Sequence, residues 1–190
     1  FYETMTSFLG FKPCEDEYKV MGLAAYGKPN IDLSFFCKET NTGNITDFSY
    51  VSDLHFKRST VYEPKYSSKL VKKIGNPRLK DGEITDHYKN IASSTQFTLE
   101  QCAISNVKYL HRLTKSENLC LAGGVALNWS ANGLIKKLPF VKHLFVQPAA
   151  SDRGLALGCA LYGAYYRNEK IAPINHVFYG PKISNKQIEN

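Results

Sequence analysis

Two short apolar runs, 119–122 and 143–147, are each followed by a stretch of helical periodicity, and this arrangement narrows the fold more than any other feature. Continuous apolar runs of that length fit strands of a parallel sheet covered on both faces. The order strand 119–122, helix 125–137, strand 143–147, helix 153–167 makes an α/β unit, with a right-handed crossover as the default. The first strand runs into Gly123-Gly124-Val125-Ala126-Leu127-Asn128. Two glycines let backbone amides approach a ligand with no Cβ in the way, and the helix N-terminus behind them attracts anions. The turn is a candidate phosphate or nucleotide cradle, although tight strand-to-helix turns use the same residues structurally.

Upstream, residues 1–10 read as the end of a helix stopped by Gly10. A second helix spans 17–26 and ends at Gly27 and Pro29. Strands at 33–37 and 45–51 flank the turn-rich Asn41-Thr42-Gly43-Asn44, which suggests a hairpin. The polar, basic segment 52–84 reads as a long loop with a short helix near 69–74, and its length suggests mobility or function. Thr85 or Asp86 can start a long helix to about 115, with Leu99, Ala103, Val107 and Leu110 as its buried stripe. The last helix is rich in small residues, including Gly154, Gly158 and Gly163. Each costs about 1 kcal/mol relative to Ala, which implies close backbone approach. Residues 173–190 read as a linker.

The chain has 190 residues and does not begin with Met, and it reads as a piece of a longer, soluble protein. No apolar run is long enough to cross a bilayer, so no membrane partner is expected. Five cysteines, odd in number and scattered, give neither a C-x-x-C pair nor a disulfide framework, and a reducing cytoplasm is the expected compartment. Several fall in apolar contexts and read as small buried hydrophobes. The net charge is +7, densest over 69–80. Without interleaved stacking aromatics this reads as a solvated face, and nucleic acid is disfavoured as a partner.

Three constellations can carry chemistry. Gly123 and Gly124 lie at a sheet edge with Asn128 and Asn132 four apart on one helix face. Asp152, in Pro148-Ala149-Ala150-Ser151-Asp152-Arg153-Gly154, opens a helix after a strand. Its position alone favours capping over metal ligation. Glu17 and Lys19 start the second helix, where a solvated first turn is the ordinary outcome. The five histidines show no metal-ligand spacing.

These segments together resemble one family. Glu17-Tyr18-Lys19-Val20-Met21-Gly22-Leu23-Ala24-Ala25-Tyr26-Gly27 resembles its E-x-K-x-M-G-L-A-x-Y-G signature, and Ile91-Ala92-Ser93-Ser94-Thr95-Gln96 its D-I-A-x-S-x-Q helix. The stretch from Leu121 to Asn128 resembles L-x-G-G-V-A-x-N, and that from Gln147 to Gly158 resembles Q-P-A-x-x-D-x-G-x-A-x-G. The family is the O-carbamoyltransferases of nodulation-factor and antibiotic biosynthesis, related to the tRNA threonylcarbamoyl transferase.

The resemblance implies an actin/sugar-kinase/Hsp70-like (ribonuclease H-like) α/β lobe with a mixed sheet flanked by helices. Residues 1–172 would be the second lobe of the transferase domain, and 173–190 would lead to an adenylate-forming C-terminal domain. It implies carbamoyl-adenylate, made from carbamoyl phosphate and ATP, as donor, and a hydroxyl of a sugar or natural product as acceptor. Gly123, Gly124 and Asn128 would hold the nucleotide, with Glu17 and Lys19 nearby. Asp152 would ligate a divalent metal, iron among the candidates. The other lobe and the C-terminal domain would be partners within the same polypeptide, and these residues alone would not complete turnover. Two alternatives use the same fold: a tRNA threonylcarbamoyl transferase, and a nucleotide-binding module without transfer.

Overall fold

The computed structural model describes residues 1–53, 64–174, 181 and 183–188, without the side chains of 185 and 186. The fold is mixed α/β with helices predominating. Its elements are α1 (Tyr2–Phe8), α2 (Glu17–Ala24), β1 (Cys37–Thr40), β2 (Gly43–Thr46), α3 (Ser68–Ile74), α4 (Asp86–Thr114), β3 (Asn118–Leu121), α5 (Trp129–Lys136), β4 (His143–Val146), α6 (Leu155–Tyr166) and α7 (Asn185–Ile188). β1 pairs antiparallel with β2, and β3 pairs with β4. No described helix is long and apolar enough to cross a membrane. The chain divides into two compact units, Phe1–Leu119 with Asn128–Leu144, and Cys120–Leu127 with Phe145–Asn190.

The first unit is organised by α4, whose 29 residues start at Thr85 and stop at Lys115, a left-handed residue. Its buried face is set toward the N-terminal half and is partly polar: Ile91, Ala92, Ser94, Thr95, Gln96, Cys102 and Val107. The expected Leu110 is 46% exposed. Val107 of the expected stripe is buried and Leu99 and Ala103 are half-buried, but apolar spacing missed Ser94, Thr95 and Gln96, which are buried with hydrogen bonds. Ile91 and Ala92 of α4 share one core cluster with Met5, Phe8 and Leu9 of α1 and its end, Val20 of α2, Leu33, Phe36 and Leu70.

The hairpin forms with its strands displaced from the expected ranges. Thr40 faces Gly43, leaving Asn41-Thr42 as the turn. Leu33 and Phe36 are buried as part of a turn, closed by the Phe36 and Cys37 amides on the Leu33 carbonyl. Asp47 ends β2 by accepting the Ser49 amide (2.9 Å), which starts a 3-10 turn at Phe48–Tyr50.

Residues 54–63 of the expected loop lie outside the described residues, whereas 64–84 is fastened down. Leu70 is fully buried, and the buried Arg78 donates to the carbonyls of Leu9 and Gly82, each at 2.6 Å. The basic stretch is engaged as well. Lys69 pairs with Asp47 (3.2 Å) and lies over the Tyr50 ring, and Lys73 lies over Phe35.

In the second unit, α6 is apolar around its whole circumference, yet none of its residues is buried. Exposed and half-buried residues alternate along β3 and β4, and neither strand has a buried residue. The expected sheet covered on both faces is therefore not formed by the described residues. A two-stranded pair leaves its faces and edges open.

The two glycines of the segment Glu17–Gly27 separate cleanly. A Cβ on Gly27 would lie 2.0 Å from the Lys89 carbonyl oxygen, so only glycine lets the end of α2 meet α4. The contact is continued by the Lys28 amide on Asn90 Oδ1 (2.8 Å) and the Ile31 amide on Ser94 Oγ (3.0 Å). Gly22, inside α2, has open space where a Cβ would be. Gly27→Ala is expected to cost about 3 kcal/mol, because backbone atoms cannot move aside cheaply. Gly22→Ala is expected to be neutral or to stabilise by up to about 1 kcal/mol. Urea unfolding midpoints of the two variants check both values.

Candidate functional site

The sequence-predicted site residues fall in two groups. Gly123, Gly124 and Asp152 belong to the second unit; Glu17, Lys19 and Asn128 belong to the first.

In the second unit two turns leave neighbouring strands and are tied together. Gly123 has φ +94°, a conformation that side chains disfavour, and its N–H donates to the Ala150 carbonyl at 2.7 Å. Its own carbonyl accepts from the Ala126 amide (3.0 Å), closing a 3-10 turn at Gly124–Leu127 in place of the expected helical start. The Gly123 N–H is thus already spent within the fold. The Gly124 N–H makes no hydrogen bond among the described residues, and the space beside its α carbon is open. Gly124 is the glycine whose amide is free to meet a ligand.

The second turn ends at Gly154, where a Cβ would lie 2.1 Å from the Ala149 carbonyl oxygen. That close approach, with the Gly154 N–H on the Ser151 carbonyl (2.9 Å), folds 149–154 back on itself. Gly158 and Gly163 have open space instead, so the close approach expected of the small residues in this helix is made at Gly154 alone of these three. Asp152 starts a 3-10 turn at Asp152–Gly154, with Ser151 at the N-cap position. No side chain caps this turn or α6. The Asp152 carboxylate is exposed and makes no hydrogen bond or ion pair among the described residues. Capping, the reading its position favoured, is therefore not what the carboxylate does here.

In the first unit Asn128 is turned inward and only 8% exposed. Its Oδ1 accepts from the Ala131 amide (3.0 Å), capping α5, and from Gln96 Nε2 (3.0 Å). Its Nδ2 donates to Gln96 Oε1 (2.9 Å). Two side-chain amides thus bond reciprocally across 32 positions of sequence. Around them Tyr2 Oη donates to Gln96 Oε1 (2.7 Å), Gln96 Nε2 to Glu100 Oε1 (2.8 Å), and Ser130 Oγ to the same Glu100 oxygen (2.6 Å). Burial, reinforced by the charges of Glu100 and Glu17, pushes the Tyr2 phenol well above its ordinary range and keeps it a donor. Sequence reasoning passed over Tyr2, Glu100 and Ser130. Gln96 alone had a signal, as the end of the second quoted motif.

Glu17 and Lys19 are engaged locally. Glu17 Oε1 accepts the Cys14 amide (2.7 Å), holding a turn in which Cys14 has φ +65°. Lys19 pairs with Asp16 at 2.9 Å. No group of three or more His, Cys, Asp or Glu side chains is placed to hold a metal ion among the described residues.

Removing Asn128 deletes a cap and strands a buried amide, for an expected cost of about 2–3 kcal/mol in Asn128→Ala. Combined with Gln96→Ala in a double-mutant cycle, the pair should show a coupling of about 1–2 kcal/mol. Additive urea-unfolding free energies would contradict the reciprocal bond.

Comparison with known proteins places these turns in context. The family model described as "Carbamoyltransferase N-terminus" matches residues 1–161. Nodulation protein NolO of Bradyrhizobium diazoefficiens is 33% identical over 174 residues, 90% of this chain and 30% of NolO. Nodulation protein NolNO of Sinorhizobium fredii is 33% identical over 178 residues, 92% of this chain and 24% of that protein. Protein sll1178 of Synechocystis is 33% identical over 202 residues, 99% of this chain and 31% of its own length. The chain thus spans about a quarter to a third of the curated relatives it matches. With both the motif-bearing turns and the α4 network inside the matched range, the chain belongs to the carbamoyltransferase N-terminal family.

Proposed function

We propose that this chain forms one wall of the nucleotide cleft of an ATP-dependent O-carbamoyltransferase. In that reading it is the second lobe of an actin/Hsp70-like domain. The donor is carbamoyl-adenylate, made from carbamoyl phosphate and ATP, and the acceptor is a hydroxyl of a sugar or natural product. The observation that carries the reading is the exposed, unbonded Asp152 carboxylate, in a turn fastened by the Gly123–Ala150 hydrogen bond to the turn bearing the free Gly124 amide.

Each part has a separate task. The Gly124 N–H, with no side chain in front of it, donates to a phosphate oxygen of the nucleotide. Gly123 fixes the turn through its positive φ and its bond to Ala150. Asp152 is the residue of this chain that would ligate a divalent metal, and a hard or borderline cation suits a lone carboxylate completed by ligands from elsewhere. When bound, such an ion would offset the negative charge that develops on the carbamoyl oxygen and the leaving adenylate. Asn128 acts within the first unit: with its Oδ1 and Nδ2 committed to Gln96 and Ala131, it sets the start of α5 and leaves nucleotide contact to the backbone. Glu17 and Lys19 shape the first turn of α2 near the Tyr2 network.

The remainder of such an enzyme has a docking surface to use. Leu155, Tyr162, Tyr165 and Tyr166 of α6 are each at least 65% exposed, and a helix apolar all round is stable in water only when covered. The short span relative to NolO and NolNO supports assigning that cover to another part of the same polypeptide.

Calorimetric titration of the full-length protein with ADP, with and without a divalent metal, tests the reading. Metal-dependent binding is expected, weakened at least about tenfold in Asp152→Ala. The thermal midpoint should be nearly unchanged, since the carboxylate has no hydrogen bond or ion pair to lose among the described residues. Equal binding by wild type and Asp152→Ala would refute the metal role.

A further inference from the structure

The five cysteines looked like scattered apolar fillers in the sequence, but the fold brings two of them together. Cys37, first residue of β1, and Cys102, in the middle of α4, lie with their sulfurs 3.5 Å apart across 65 positions of sequence. Both side chains are 4% exposed, whereas Cys14, Cys120 and Cys159 are on the surface. Their separation is held by the hydrogen bonds that lash the hairpin to α4. Ser105 Oγ donates to the Thr40 carbonyl (2.7 Å), and Asn106 Nδ2 to Asn44 Oδ1 (2.9 Å). A disulfide needs a sulfur separation of about 2.05 Å, so roughly 1.5 Å of closure joins the pair, within reach of small side-chain rotations.

The two sulfurs are not equivalent. The Thr46 hydroxyl (3.5 Å) and the Asn44 amide (3.9 Å) both donate to Cys37 Sγ, in addition to the neighbouring Cys102 thiol. The Cys102 hydrogen bond leads these effects, which outweigh burial and hold the Cys37 thiol below its ordinary range, while Cys102 is pushed up as the proton-bearing partner. Access exists as well. Cys37 and Cys102 both line a cavity of about 380 Å³ whose wall also includes Ile31, Leu33, Phe97 and Gln101. A molecule the size of water fits that space easily.

We propose that Cys37 and Cys102 form a peroxide-sensitive dithiol, in which Cys37 is the attacking sulfur and Cys102 the resolving one. The Cys37 thiolate attacks one oxygen of hydrogen peroxide, the O–O bond breaks, and hydroxide leaves to be protonated to water. Cys37 is then a sulfenic acid. Cys102, giving up its proton, attacks that sulfur; the S–S bond forms and the hydroxyl leaves as a second water. Two thiols lose two electrons and two protons, and one peroxide becomes two waters. A dithiol reductant reverses the change by thiol–disulfide exchange. The product converts a hydrogen-bonded contact between β1 and α4 into a covalent brace, six residues along α4 from Gln96.

The chain carrying Cys14→Ser, Cys120→Ser and Cys159→Ser retains only this pair. After peroxide it is expected to lose both alkylatable thiols and the mass of two hydrogens, and to regain both with dithiothreitol. With Cys102→Ser added, Cys37 is expected to be trapped by dimedone as the sulfenic acid. Two thiols still free after peroxide, or Cys37 oxidised onward while Cys102 stays free, would overturn the proposal. Peptide mapping of the peroxide-treated wild-type protein keeps the test independent of how the variants fold. A 37–102 linked peptide supports the pair, and links confined to Cys14, Cys120 or Cys159 refute it.

Discussion

The reciprocal amide pair of Gln96 and Asn128 is the interaction on which the first unit's arrangement rests. Each amide satisfies the other in a buried setting, where an unpaired one would cost about 1–3 kcal/mol. The same pair joins the N-terminus of α5 to the middle of α4, and through Tyr2 it reaches α1. Three elements distant in sequence are thereby set by one hydrogen-bonded cluster. Low local dielectric makes such a cluster demanding of geometry, so it specifies position more strongly than apolar packing does.

A division of labour among the motif residues follows from which groups are already bonded. Gly27, Ser94 and Gln96 belong to signature segments, and each is consumed by contacts inside the first unit. Gly123 and Gly154 are consumed inside the second, one by a positive φ and a bond to Ala150, the other by its approach to Ala149. Unbonded among the described residues are the Gly124 amide and the Asp152 carboxylate, a donor and an anion on two turns that are bonded to each other. A neutral donor and a carboxylate are complementary to a phosphate and its counter-cation, and this pairing supports the transferase reading over a purely structural one.

Much of this was legible in the residues. The Gly10 stop, the Asn41-Thr42 hairpin turn, the extent of α4 and the two strand-to-turn units were all signalled by turn and periodicity patterns. The errors have physical causes. The stripe on α4 was met at Val107 but not at Leu110, and it missed Ser94, Thr95 and Gln96, which are buried with hydrogen bonds that apolar periodicity does not register. In segment 64–84 the short helix expected near 69–74 is α3, but the fastening of the segment was not legible, because the guanidinium that does it, Arg78, is a residue type usually found on the surface. The Gln96 and Ala131 partners of Asn128 were not legible, because spacing shows that a side chain is polar and not where its bonds go. The Cys37–Cys102 contact was invisible for the same reason: it depends on how β1 lies across α4.

The central claim is that the Gly124 amide meets the nucleotide, while the Gly123 N–H and the Asn128 side chain are committed to bonds within their own units. Residue-resolved amide exchange of the full-length protein by NMR, with and without ADP and a divalent metal, tests it most directly. The account predicts a Gly123 amide protected throughout, a Gly124 amide protected only when nucleotide is bound, and Asn128 side-chain amide signals that do not move. A Gly124 amide unaffected by nucleotide, with the Asn128 side-chain signals shifting instead, would contradict it.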